Sequence, residues 1–266
     1  MNTKKLLVVG NPISHSLSPL IHTYAIKKLG LSGTYTSQKL ELDTSKEEFV
    51  SFIIKSSLDG LNITVPFKEL AFSAVSQAQG IAKDIGAINT IVVKDSKLIG
   101  YNTDALGFYE CIKKYSFKKA LILGAGGSAR AISLILRLQG FEVDVSNRSE
   151  GKLKDFKEVN TLLFKDLDSK KNYDLVINAT SASLQDILPL DKETLKAIFK
   201  NSQLAFDLMY KDTKTPFCAL ASELGIKEKD GKDMLIYQGA LAFLKFFDLE
   251  DALLEKVVTY MREALL

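Results

Sequence analysis

The sequence predicts an α/β protein made of two successive units, each a mostly parallel sheet with flanking helices. Three observations predict it. Short β-branched or Leu/Val-rich runs alternate with amphipathic helical stretches along the whole chain, the pattern left by parallel strands and crossover helices. A fresh run of this alternation begins near residue 118. A glycine-rich turn joins strand to helix at the start of that second run. The length of 266 residues suits one large domain or two modest ones, since domains commonly run about 100–200 residues.

In the first unit, strands are expected at residues 6–9, 34–40, 61–65 and 88–93. Ser18-Pro19 reads as an N-cap followed by proline at the first helical position, and Gly30 stops the helix they begin. Ser45 and Glu48 have the spacing of a capping box. Strands of the second unit are expected at 120–123, 143–146, 175–178 and 203–206. The clearest helix covers 128–139 and ends at Gly140. Residues 234–247 and 251–265 read as two C-terminal helices. Their apolar faces must pack on one of the units, and the residues leave either open.

Composition removes several function classes. Hydrophobic residues make up 46% and charged residues 25%, as in an ordinary globular chain rather than a disordered one. The net charge is only +3, with lysines scattered among acids. A nucleic-acid partner needs a concentrated basic surface, so none is expected, while small anions stay possible. No apolar run approaches the ~20 residues that cross a bilayer, so no membrane partner is expected. The apolar core of the N-terminal stretch, residues 6–9, is too short for a secretory signal. Cys111 and Cys218 are the only cysteines and read as free core thiols in a reducing cytoplasm. With two histidines, His15 and His22, and no CxxC, HExxH or carboxylate cluster at ligand spacing, no metal site is expected.

The glycine turn carries the first chemical signal. Residues 121–123 lead into Gly124, Ala125, Gly126, Gly127 and Ser128, which match G-x-G-x-x-A directly after a strand and at a helix start. There the glycines permit a tight turn and let backbone approach a pyrophosphate, while the helix N-terminus supplies unpaired N–H groups. A plain glycine-rich turn is the weaker reading in this context. The end of the next strand chooses the cofactor. An NAD site usually has an acid there. This chain has Asn147, Arg148 and Ser149, with Lys152 nearby. Asp144 falls too early and points away along the strand. The planar, permanently charged Arg148 suits a 2′-phosphate, so NADP(H) is expected over NAD(H).

Three loops of the first unit bear on the substrate. Residues 10–19, after the first strand, offer several hydroxyls at a helix N-terminus, a seat for a carboxylate. Plain capping by Ser18 is an equal alternative. In the stretch from Asn62 to Lys68, alternation puts Asn62 and Thr64 on one face, with Ile63 and Val65 on the other. Lys68 falls just past the strand end, where α/β ligand crevices open, although a single lysine is usually a solvated surface group. The third region joins Asn89 and Thr90 with Asn102, Thr103 and Asp104. One of the last three caps the following helix, which leaves others for a ligand.

Taken in order, these segments make the chain resemble the shikimate dehydrogenases over nearly its whole length. The stretches that carry the resemblance are 11–13, 62–68, 102–104, the Gly124 loop, 147–149, 178–180 and 230–235 with Gln238. The resemblance implies reversible reduction of 3-dehydroshikimate with NADPH, on the route to chorismate and the aromatic amino acids. It implies an N-terminal substrate domain of residues 1–103 plus 238–266. A Rossmann-type dinucleotide domain of residues 104–237 follows, with the C-terminal helices returning to the first domain and a cleft between the lobes. Lys68 and Asp104 would be the catalytic pair. Ser16, Ser18, Asn62, Thr64, Asn89, Tyr210 and Gln238 would line the substrate site, the serines holding its carboxylate. Gly124 to Ser128 would hold the pyrophosphate, and Asn147, Arg148, Ser149 and Lys152 the adenosine phosphate end. Thr180, Ser181, Leu208 and Gly231 would lie near the nicotinamide. A small-molecule substrate is the implied partner, in a cytoplasmic monomer or homodimer. Thr23, Ser183 and Gly239 depart from the usual pattern, and Ser183 puts the shape of the nicotinamide-side loop in question.

Three rivals fit less well. An NAD-using quinate enzyme of the same fold favours an acid at Arg148. A methylene-tetrahydrofolate dehydrogenase does not explain Ser16, Ser18 or residues 102–104. A catalytically silent NADP(H) sensor has no need of both Lys68 and Asp104.

Overall fold

Two six-stranded sheets organise the chain in the computed structural model, which describes residues 3–266. The first stretch runs β1 (Lys4–Gly10), α1 (Ser18–Lys28), β2 (Gly33–Lys39), α2 (Lys46–Lys55), β3 (Gly60–Ile63), α3 (Lys68–Ala74), β4 (Gln77–Ala78), α4 (Ala82–Ile85), β5 (Thr90–Lys94) and β6 (Lys97–Tyr101). After α5 (Thr103–Ile112) come β7 (Lys119–Leu123), α6 (Gly127–Leu138), β8 (Glu142–Asn147), β9 (Asn160–Leu163), β10 (Leu175–Asn178), α7 (Lys192–Phe199), β11 (Leu204–Asp207), α8 (Pro216–Glu223) and β12 (Lys227–Lys229). The chain ends with α9 (Gly231–Phe247) and α10 (Leu254–Glu263). It divides into two units, Met1–Gly107 with Ile236–Leu266, and Phe108–Leu235.

The first unit holds the sheet β2-β1-β3-β5-β6-β4. Here β1 pairs parallel with β2 and β3, and β4 pairs parallel with β6. β5 runs antiparallel to both β3 and β6. The sheet is therefore mixed, and the cause is local. Asp95 and Ser96 both adopt positive φ, 51° and 60°, and a two-residue link of that kind joins only antiparallel neighbours. β1 reads as an unbroken Leu/Val run because residues 6–10 are all buried, as expected of a central parallel strand covered on both faces. Phe49, Ile53, Leu61, Ile63 and Ile91 form the core against α2 and α3.

Helix signals in this unit are upheld at one site and corrected at another. Ser45 and Glu48 make both halves of a capping box. Ser18, by contrast, does not cap α1. The N-cap position is Leu17, and no side chain caps there. Ser16 Oγ instead accepts from the Ser18 N–H at 3.3 Å. The C-terminal helices return to this unit: α10 packs on α1, burying Val257, Val258 and Met261. A Cβ placed on Gly60 would lie 2.5 Å from Phe246 Cδ1, so the end of α9 lies directly on β3. The helix expected over 251–265 is split into a 3-10 turn at Asp251–Leu253 and α10.

The second unit holds the all-parallel sheet β12-β11-β10-β7-β8-β9. Leu121, Leu123, Val176, Ala205, Phe199 and Phe217 fill one side of it. Strands β4, β9 and β12 were not legible in the sequence. Each is two to four residues long at a sheet edge, where half the backbone is unpaired and little apolar pattern is needed. Cys111 and Cys218 are both buried, and neither forms a disulfide. Among the described residues no helix is long and apolar enough to cross a membrane. No group of three His, Cys, Asp or Glu that could hold a metal ion occurs among them either.

Candidate active site

β3 ends at Ile63, and the chain turns through Thr64 to Phe67, where the Phe67 N–H donates to the Thr64 carbonyl at 3.1 Å. The turn makes Lys68 the first residue of α3, beyond the C-terminal end of a parallel strand, the position where α/β sheets bind ligands. Ile63 is buried, but Val65, expected beside it on the apolar face, is 67% exposed because the strand has already ended. Asp104 sits in the first turn of α5, where the helix dipole favours a carboxylate. Asn102 caps that helix, its Oδ1 accepting from the Ala105 N–H at 3.2 Å.

These placements bring two distant residues together. Lys68 Nζ donates to Asp104 Oδ2 at 2.6 Å, a short charge-assisted bond. Their side chains are 24% and 13% exposed. The pair is shielded yet still reachable, which suits a group that must meet a ligand.

Beside it runs a buried polar network. Asn62 Nδ2 donates to Thr90 Oγ1 at 3.0 Å and to the Asn89 carbonyl at 3.2 Å. Asn89 Oδ1 accepts from the Thr103 N–H at 2.8 Å, and its Nδ2 donates to Gln238 Oε1 at 3.3 Å. Gln238 comes from α9, and glycine at 107 lets α5 reach it. A Cβ at Gly107 would stand 2.6 Å from the Gln238 backbone nitrogen. Ser16 and Thr64 are partly exposed, and Ser18 is buried. The structure thus gathers Asn62, Lys68, Asn89, Asp104 and Gln238 within the first unit. Tyr210 belongs to the second unit, half-buried, its phenol pushed up by burial and by the Asp230 charge.

The sequence reading did not assign Tyr35, Thr90 or Thr103 to the site. Tyr35 OH reaches Asn62 Oδ1 at 2.6 Å, and Thr90 and Thr103 hydroxyls lie within the same network. Thr90 and Thr103 adjoin Asn89 and Asp104 in sequence, which was the available signal. Tyr35 sits alone in a polar strand and had none.

In the second unit, β7 runs into α6 through Gly124, whose φ is +109° and whose added Cβ would meet Thr180 Cγ2 and the Ala179 backbone at 3.0–3.1 Å. At Gly126 and Gly127 the same atom would meet open space, so backbone there can approach a ligand. A cavity of 440 Å³ opens here, lined by Gly124, Ala125, Gly126, Asn147, Arg148, Lys152, Thr180 and Ser181. Seven further residues line it, Phe164, Ile187, Leu188 and Pro189 among them as an apolar wall. Arg148 and Lys152 bring two cations, and no carboxylate is among the lining residues. The residues fit an adenosine phosphate bearing an additional anionic group.

Other expected cofactor residues are placed differently. Gly127, Ser128 and Ser149 lie outside the cavity lining, Ser149 closing its loop by accepting from Asn147 Nδ2 at 2.9 Å. Leu208 and Gly231 also lie outside it and abut each other, a Cβ at Gly231 falling 2.2 Å from the Leu208 carbonyl oxygen. Asp144 is buried within β8 and accepts from Lys171 at 2.7 Å, Tyr173 at 2.5 Å and Asn160 at 3.2 Å. Burial pushes its carboxyl up, but those three donors outweigh burial and leave it below its ordinary value. Ser183 is buried too, donating to Asp207 Oδ2 at 2.5 Å. Asn178 Nδ2 reaches the other Asp207 oxygen at 3.1 Å, so the hydroxyl that departs from the family pattern is held inside the fold.

The chain is similar to proteins of known activity over nearly its whole length. A family model of the shikimate dehydrogenase substrate binding domain matches residues 8–91. The chain is 50% identical over 251 residues to the NADP(+) shikimate dehydrogenase of Helicobacter pylori, covering 92% of this chain and 93% of that one. It is 43% identical over 267 residues to the enzyme of the same name from Helicobacter hepaticus, covering 97% and 98%. Its fold is similar to that of the Thermus thermophilus shikimate 5-dehydrogenase crystallised with NADP(H) and shikimate. That match has a TM-score of 0.85 at 33% identity, over 98% of this chain and 100% of that one.

Proposed function

The chain belongs to the shikimate dehydrogenase family, and from that premise we propose that Lys68 and Asp104 are the acid–base pair of its active site. The reaction is the reversible, NADP-dependent interconversion of shikimate and 3-dehydroshikimate, a step of aromatic amino acid biosynthesis. The observation that carries the proposed roles is the 2.6 Å contact between Lys68 Nζ and Asp104 Oδ2 beside the Asn62–Asn89–Gln238 network.

When NADP(H) is bound, its nicotinamide supplies or takes the hydride. The chain's own residues handle charge and proton. In the reducing direction negative charge grows on the C3 oxygen of the substrate, and the Lys68 ammonium stabilises it where it develops. The same ammonium donates a proton to that oxygen and recovers one in reverse. Asp104, bonded to Lys68, orients the ammonium and accepts from the substrate hydroxyl. Ser16 and Ser18, at the start of α1, are assigned to the substrate carboxylate, and Asn62, Thr64, Asn89, Tyr210 and Gln238 to its remaining groups.

For the cofactor, Gly124 to Ser128 are assigned to the pyrophosphate, and Asn147, Arg148, Ser149 and Lys152 to the 2′-phosphate end. Thr180, Ser181, Leu208 and Gly231 are assigned to the nicotinamide side. The test of cofactor choice is a steady-state assay of shikimate oxidation with NADP+ and NAD+ in parallel. Arg148→Ala removes a charge-assisted contact of about 1.5–3 kcal/mol, so KM for NADP+ rises by roughly 10- to 150-fold while that for NAD+ scarcely moves. Equal losses with both cofactors reject the assignment.

A further inference from the structure

We propose that Tyr35 and Thr90 are positioning residues that clamp the Asn62 side chain from opposite sides and so set how it meets the substrate. The inference rests on the reading of Asn62 as a substrate ligand given above. It adds two residues to the site, one of them in a strand with no motif.

The clamp follows from donor and acceptor rules. An amide side chain is nearly symmetric, and only its partners decide which end faces where. Asn62 has the Asn89 carbonyl at 3.2 Å on one side, and a carbonyl can only accept. The NH2 group must therefore face Asn89 and Thr90, whose Oγ1 takes its other hydrogen at 3.0 Å. Oδ1 is left facing Tyr35, so the phenol donates to it, at 2.6 Å. Both N–H bonds of Asn62 are then used inside the protein. What remains to a ligand is a lone pair on Oδ1, an acceptor for a substrate hydroxyl.

Tyr35 is built to keep that proton in place. It is 4% exposed, and its ring stacks on His22 with centroids 4.1 Å apart and planes within 9°. Burial pushes its phenol well above the ordinary value, against a hydrogen bond from Ser18, so it stays a donor across the working range. The phenol thereby touches two residues assigned to the substrate, Ser18 and Asn62. On the other side, Thr90 is fully buried and reaches on to Asn89 Oδ1 at 3.2 Å.

Steady-state kinetics of the full chain with shikimate and NADP+ test the clamp. Tyr35→Phe and Thr90→Val each remove one partner of the amide at nearly constant shape. KM for shikimate is expected to rise about 3- to 12-fold in either, the equivalent of one net hydrogen bond. KM for NADP+ and kcat stay at wild-type values, because the contact is made equally in ground and transition states. Asn62→Ala raises KM for shikimate by itself, and adding Tyr35→Phe to it brings no further rise, since Tyr35 acts through the amide. Additive effects, or a Tyr35→Phe variant of unchanged KM beside an impaired Asn62→Ala, overturn the clamp alone. An Asn62→Ala variant with unchanged KM overturns the substrate assignment of Asn62 and the clamp with it. If Tyr35→Phe does not fold, Thr90→Val is measured alone and on Asn62→Ala: a KM rise that vanishes in the double variant upholds the clamp, and one that persists, acting through Asn89, overturns it.

Discussion

Lys68→Ala is expected to slow shikimate oxidation by about 10²–10⁴-fold, the usual worth of a positioned acid–base group. NADP+ affinity, measured by equilibrium binding, stays near wild type. On the proposed mechanism the cation that meets the substrate oxygen is lost, and the Asp104 carboxylate remains beside a developing negative charge it cannot stabilise. The cavity proposed for the cofactor is lined by residues of the second unit alone, so that proposal gives its affinity no direct link to Lys68. The fold is expected to survive the change. At 24% and 13% exposure the ion pair is partly solvated, and such pairs contribute only about 0–1 kcal/mol to stability. A variant that turns over near the wild-type rate, or whose melting temperature collapses with its activity, removes the catalytic role.

His22→Phe is expected to make the protein resist acid better than the wild type. His22 is wholly buried, packed on Tyr35 and Phe243, and neither ring nitrogen has a hydrogen-bond partner among the described residues. Burial lowers its pKa to about 3, against 6.5 for the free side chain. Between these values the unfolded chain binds a proton that the folded chain refuses. Stability is therefore full above pH 6.5 and declines as pH falls, by up to about 1.4 kcal/mol per unit, until the native state also protonates near pH 3. Between pH 7 and 4.5 this single group is expected to cost the wild type about 2–3 kcal/mol. Urea unfolding of both proteins at the two pH values measures it: the wild type loses that much more than His22→Phe. Parallel losses in the two proteins exclude His22 as the cause.

Much of the fold was legible because parallel strands must be apolar on both faces. Residues 6–9, 120–123 and 175–178 announce themselves as strands for that reason, and all three are buried centrally in their sheets. The Gly124 turn was legible because a positive φ beside the Thr180 loop admits almost only glycine. The β5–β6 hairpin was hidden behind a polar Lys-Asp-Ser-Lys stretch at residues 94–97 that contains no glycine to mark it. Ser18 looked like a cap because serine before proline usually is one. In the fold Ser16 accepts from the Ser18 N–H instead, and the Ser18 hydroxyl turns to Tyr35.

Residue types and their spacing determined the α/β class, the glycine-rich turn between strand and helix and the preference for a cofactor with a 2′-phosphate, while Lys68 and Asp104 stood out as a pair only through the family resemblance. Each of these is a local matter: backbone conformation, charge, or a side chain's reactive group is carried by one short segment. The tertiary structure decided what depends on distance in space. It brought the 68 ammonium onto the 104 carboxylate across thirty-six residues, turned Asp144 to Lys171 and Tyr173, and set a tyrosine from an unremarked strand against Asn62. Hydrogen-bond partners separated by dozens of residues leave no pattern along a chain, because their meeting is set by the strand order of the sheet rather than by any neighbour in sequence.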